Sequence, residues 1–136
     1  MTSTPEYGIH GEGSDGRPIL GVATAADWEA WLEDECESSS GVWLRLTKKG
    51  SDYQGPVYNE AVEVALCFGW IDGMSRSYDE RSWLQRFTPR RRRSGWSRSN
   101  VDRVTRLVEQ GRMRPAGLRE VEAARADGRW DAALGT

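Results

Sequence analysis

The side chains best suited to chemistry crowd into the middle of the chain. Residues 65–100 read ALCFGWIDGMSRSYDERSWLQRFTPRRRRSGWSRSN. One acid, Asp72, sits between Ile71 and Gly73 on an expected strand, with Arg76, Arg86 and the run Arg90 to Arg93 following it. A carboxylate beside a guanidinium group stays ionised and orients that group. The same carboxyl in a dry hollow without a partner rises in pKa and can act as a general acid or base. Asp72 is therefore the candidate catalytic residue, and an ion pair that fixes the hairpin is the competing reading.

Arg86, Arg90, Ser94, Ser97 and Asn100 surround an expected helix start. Free backbone N–H groups and arginine forks together suit a carboxylate or a phosphate. Trp70 and Trp96 lie among these residues and can line an aromatic wall or stack on guanidinium planes. The predicted ligand-binding set is Trp70, Arg76, Arg86, Arg90, Ser94, Trp96, Ser97 and Asn100. The plainer alternative is that the serines and Asn100 satisfy loop and helix-end backbone. Tyr58, Tyr78, Ser75 and Ser77 are further possible donors that nothing singles out.

Other chemistries find less support. The only histidine, His10, lies in a glycine-rich leader, and Cys36 and Cys67 belong to no CxxC pair. A zinc site or a Cys–His nucleophile pair is not expected, nor is a cofactor. The arginine run with Phe87 and Trp96 invites nucleic acid through phosphate contacts and stacking. A pI near 5.5 and the lack of any nucleic-acid motif argue against that partner.

The chain has 136 residues, 38% of them hydrophobic and 29% charged, which fits one soluble domain. The net charge of −2 conceals a segregation. Residues 1–64 carry 4 basic and 12 acidic side chains, and residues 65–136 carry 15 basic and 9 acidic. Both lysines, Lys48 and Lys49, fall in the first part, so the second uses arginine alone. No apolar run reaches membrane-span length. The opening MTSTPEYGIHGEGSDG lacks the basic start and apolar centre of a secretion signal, so a cytoplasmic location is expected.

Elements must hold these residues in place. Residues 1–17 read as a flexible leader and residues 18–136 as a single domain. Pro18 to Val22 can add a short edge strand. Thr24 opens a helix with Asp27 at its third position and Trp28, Trp31 and Leu32 inward. Val42 to Lys48 alternates as a strand. Tyr58 to Phe68 is an apolar helix ended by Gly69. Trp70 to Arg76 and Ser82 to Thr88 form a hairpin closed by Pro89. Ser99 is expected to cap a helix ending at Gly111, and Pro115 opens a last one that Gly128 stops. The order α-β-α-β-β-α-α describes a small α+β domain with one antiparallel sheet packed against helices.

Six stretches resemble the bacterial YdeI/OmpD-associated family, also called bacteriocin-protection proteins. They are WEAWL at 28–32, GVWLRLTKKG at 41–50, YNEAVEVALCFGWIDG at 58–73, RSYDE at 76–80, QRFTPRRRRSGWSRSN at 85–100 and GRMRPAGLREVEAARADGRW at 111–130. The resemblance implies a small cytoplasmic protein linked to protection against bacteriocins or antimicrobial peptides, or to an outer-membrane porin. It implies no reaction and no catalytic set. The leading expectation is a protection or stress protein that holds an anionic small molecule or peptide in an arginine- and tryptophan-lined cleft. The alternative is a cofactor-independent enzyme acting on a small carboxylate-bearing metabolite. Asp72 would then be the acid/base and Arg86 or Arg90 the carboxylate clamp.

Overall fold

A computed structural model describes residues 7–135. Its centre is β3 (Val42–Thr47), whose Val42, Leu44 and Leu46 are wholly buried on one face. β3 pairs antiparallel with β5 (Ser82–Pro89), and β5 pairs antiparallel with β4 (Trp70–Ser77). On its other side β3 runs parallel to β2 (Pro18–Gly21), which pairs antiparallel with β1 (Gly8–Glu12). The strand order is β1-β2-β3-β5-β4.

The α+β class of a small single domain holds, and the sheet is mixed rather than antiparallel throughout. The reason is the crossover helix α1 (Ala25–Glu35), which returns the chain so that β3 starts in the direction of β2. β2 is an inner strand, because β1 covers the edge expected to be free. β1 falls inside the stretch read as a leader. Residues 1–6 of that leader lie outside the described residues.

One face of the sheet carries the helices. Thr24 accepts a hydrogen bond from Asp27 N at 3.1 Å and opens α1, which buries Trp28 and Leu32. Trp28 donates through Nε1 to Ala61 O of α2 (Tyr58–Cys67), which presents Ala61, Val62 and Ala65 to the same core. Gly69 takes φ +77° after α2, a left-handed turn that aims the chain into β4. α3 (Arg98–Glu109) adds Val101, Val104 and Leu107. α4 (Pro115–Asp127) begins with proline in its first turn and adds Val121 and Ala124, and α5 (Arg129–Ala133) adds Trp130. Gly117 brings α4 down onto the end of α2, where any Cβ would collide with the Cys67 carbonyl. No helix among the described residues is long and apolar enough to cross a membrane.

The cap of α3 is Ser97, not Ser99: Ser97 Oγ accepts from Asn100 N at 3.1 Å. Both serines have a polar residue three positions on, and starting at Arg98 turns Asn100 inward.

The opposite face of the sheet is covered only in part. Ile19, Trp43 and Leu84 form a small cluster there. The β1–β2 turn closes over it, with Gly13 against the Trp43 indole and Asp15 Oδ1 accepting from Trp43 Nε1 at 2.8 Å. Nearby, Arg45 is buried and has partners on its edge and its face. Its Nε donates to Ser82 Oγ at 2.7 Å, its Nη2 meets Asp79 at 3.1 Å, and its plane lies 3.9 Å from the Tyr53 ring centre.

Candidate functional site

Arg90 follows the proline that ends β5, and its backbone N–H donates to Gly69 O at 3.0 Å. That bond fastens the start of the arginine run to the turn between α2 and β4. The side chain folds inward and is only 7% exposed. Nη1 donates to Gly95 O at 3.1 Å, and the guanidinium carbon lies 3.8 Å from the Trp96 ring centre. Nε and Nη2 have no hydrogen-bond partner, and neither does the buried Nε1 of Trp96. Burial pushes the Arg90 pKa down from 12.5 to about 10. The charges of Glu120 and Asp72 resist that fall, and the charge of Arg129 adds to it.

Arg90 borders a cleft of about 160 Å³, with Cys36 and Glu37 after α1, Phe68 to Trp70 at the turn, and Ala116, Arg119 and Glu120 from α4. Gly69 allows this convergence, since a Cβ there would lie 3.0 Å from Ala116 O and 3.1 Å from Glu120 Cγ. Trp70 forms part of the wall and is pinned by a 3.2 Å bond from Nε1 to Cys36 O. At the rim, Arg119 and Glu37 pair at 3.2 Å in the open. Burial, with Glu37 next, raises the Cys36 thiol, which leaves it neutral and weakly reactive. The other cysteine, Cys67, is pushed up to about 11 chiefly by burial.

The remaining expected site residues go elsewhere. Asp72 projects on the helix side, where Tyr58 Oη donates to Oδ2 at 2.6 Å. Tyr58 is pushed up to about 12 by desolvation first, then by its bond to Asp72 and by the Asp72 charge. Arg86 is one residue from Phe87, the partner of Asp72 across the hairpin, and so faces the other side of the sheet. There its Nε lies 3.4 Å from Asp15 Oδ2. Arg76 is exposed on that same side, with its guanidinium carbon 5.6 Å from the Trp43 ring centre. Ser94 accepts from Arg91 N through Oγ and from Arg129 Nη1 through its carbonyl. Ser97 caps α3, and Asn100 accepts from Arg103 Nη1 at 3.0 Å. Of the predicted set, Trp70 and Arg90 border one cleft and Trp96 stacks on Arg90, while Arg86 and Arg76 stand apart from Asp72.

Glu120, Arg119 and Glu37 were not singled out by sequence, and nor was the Tyr58–Asp72 pair. Glu120 follows Ala116 by one turn of α4, so the two share a face. That face meets Arg90 only because Gly117 lets α4 settle on α2, a packing fact with no local signature. Arg91, Arg92 and Arg93 are exposed. Among the described residues no group of three or more His, Cys, Asp or Glu side chains is gathered to hold a metal ion.

The chain belongs to the family described as a domain of unknown function (DUF8412), whose model matches residues 20–120. That span takes in every residue bordering the Arg90 cleft and leaves out Asp15 and Trp130. No curated protein and no solved structure matches the chain.

Proposed function

We propose that this protein is a small binding protein of the protective or stress type, akin to the YdeI/OmpD-associated family, which takes an anionic small molecule at the Arg90 cleft. One observation carries the reading. Three N–H donors, Arg90 Nε and Nη2 and Trp96 Nε1, are buried in one stacked pair without acceptors. Buried donors in native proteins nearly always have partners, and each exception calls for an explanation. A carboxylate or phosphate oxygen is the acceptor that a guanidinium fork fits best. The cleft lies below the roughly 300–1,000 Å³ usual for drug-sized ligands, so the ligand is small or enters by one end only.

The test is a titration with acetate and with inorganic phosphate, against chloride at equal ionic strength. Thermal unfolding and tryptophan fluorescence follow binding. The wild type should be stabilised by at least one of the two anions beyond chloride, and the Arg90→Met variant by neither. Equal responses to all three salts would remove the basis for the reading. The same salts should slow alkylation of Cys36, which borders the cleft, in the wild type alone.

A further inference from the structure

We infer that the ligand of the Arg90 cleft is a small zwitterion, an amino acid whose carboxylate meets Arg90 and whose ammonium meets Glu120. The inference rests on the anion reading of the cleft and adds the other half of the ligand. Glu120 borders the same cleft as Arg90 and is half-buried. Among the described residues it has neither a hydrogen bond nor a salt bridge. Its charge nevertheless acts on Arg90 more strongly than that of Asp72 or Arg129. A buried guanidinium and a half-buried carboxylate thus share a hollow without closing on one another.

Gly69 fixes this arrangement. Its carbonyl holds the Arg90 backbone N–H at 3.0 Å, and its missing side chain leaves room for Glu120 Cγ. Both residues thus pack on Gly69, Arg90 through its backbone and Glu120 through its Cγ, and both border the hollow that a ligand would enter. The remaining charged pair, Arg119 with Glu37, is already joined at the rim and leaves the interior with one charge of each sign. A simple anion would answer Arg90 and be repelled by Glu120. A simple amine would do the reverse. A molecule carrying both groups satisfies both, and the modest cavity restricts it to a short backbone with any longer side chain reaching outward through the mouth.

The experiment compares glycine, β-alanine and γ-aminobutyrate with acetate, propionate, butyrate and methylamine, by calorimetric titration of the full chain. At least one amino acid should bind the wild type about tenfold tighter than the carboxylic acid of matching length, the return of one partly desolvated ion pair. Glu120→Gln should abolish that preference while acetate binding is kept or improved. Arg90→Met should lose both classes. Slower alkylation of Cys36 by the bound amino acid gives a second readout that does not depend on heat of binding. If the carboxylic acids bind as tightly as the amino acids, or if Glu120→Gln leaves the ratio unchanged, the zwitterion assignment is wrong while the anion reading stands. If neither class binds, both are wrong. Circular dichroism of Glu120→Gln establishes that it folds, and Glu120→Ala, which also removes the charge, must give the same ratio.

Discussion

Replacing Arg90 by methionine should make the protein more stable, although it deletes a buried, hydrogen-bonded side chain. Burial lowers the Arg90 pKa from 12.5 to about 10. At about 1.36 kcal/mol per pH unit, that depression amounts to ~3 kcal/mol against the charged folded state. The sign follows from linkage: the folded form holds this proton less tightly than the unfolded form. The cost is complete below the folded value and fades as pH climbs from about 10 toward 12.5. Methionine removes it. The substitution also forfeits the bond to Gly95 O, worth ~1 kcal/mol, where water can replace the donor because Gly95 is exposed. Loss of the cation over Trp96 takes about another 1 kcal/mol, and the thioether recovers part of that contact. The balance is a gain of about 1 kcal/mol near neutral pH, or roughly 3–4 °C in Tm for a chain of this length. Urea unfolding followed by circular dichroism should show a higher midpoint with an unchanged slope. The advantage should vanish by about pH 11, where the folded wild type has released the proton. Tyrosine and lysine titrations occur in both proteins and cancel in the difference. A loss of about 2 kcal/mol or more would refute the reasoning: Arg90 would then be a strut of the fold, and its unpaired donors would say nothing about a ligand.

Three further perturbations follow from the geometry. Tyr58→Phe should cost about 1–2 kcal/mol in urea unfolding, because the 2.6 Å bond to Asp72 is lost. It should also delete the late phenolate absorbance step at about pH 12 from the wild-type titration. Asp15→Asn tests the cover over Trp43. Burial alone would raise the Asp15 pKa, and its bonds from Trp43 and Arg17 outweigh that and lower it from 3.8 to about 2. Stability from this group is therefore present above 3.8 and lost as pH falls toward 2, so the wild type should fall more steeply than the variant in that window. The charge contributes about 1 kcal/mol once screening at a quarter-exposed side chain is allowed for. Gly117→Ala should lower stability by roughly 1–3 kcal/mol in thermal unfolding, since its methyl group meets the Cys67 carbonyl and pushes α4 away. An unchanged Tm would mean that α4 can shift outward freely.

Much of the fold is legible because its signals are local. Thr24 with Asp27, Gly69 after an apolar helix, Pro115 and Gly128 each act within a turn, and each stands at the helix end expected of it. The alternation of Val42 to Leu46 is likewise a local pattern. β1 gives no such pattern: Gly8 and Gly11 take positive φ, and its register with β2 is irregular. The direction of β2 relative to β3 depends on where α1 delivers the chain, which no residue type encodes. The candidate site splits for a different reason. Asp72 and Arg86 look adjacent across a hairpin, but Asp72 pairs with Phe87, so a single step along β5 sends Arg86 through the sheet. Register is a tertiary quantity, and a bulge between Asp72 and Ser75 places it further out of reach.

Three arginines near or below the surface separate structural use from unused capacity. Arg45 is as buried as Arg90, at 6% against 7% exposed, but Ser82, Asp79 and Tyr53 occupy its edges and face. Arg86, less buried, has Asp15 Oδ2 at 3.4 Å, an ion-pair contact that leaves its Nε without a hydrogen bond. At Arg45 the chain builds acceptors around a buried guanidinium group, and at Arg86 it sets a carboxylate charge beside one. At Arg90 it supplies one carbonyl and an indole face, and leaves the Glu120 carboxylate bordering the same cleft without a salt bridge to the guanidinium group. An apolar side chain would fill the same place at less cost. Retaining a charge whose burial opposes folding is the expected signature of a group whose partner arrives from solution, because binding energy is gained only where the free protein has left something unsatisfied.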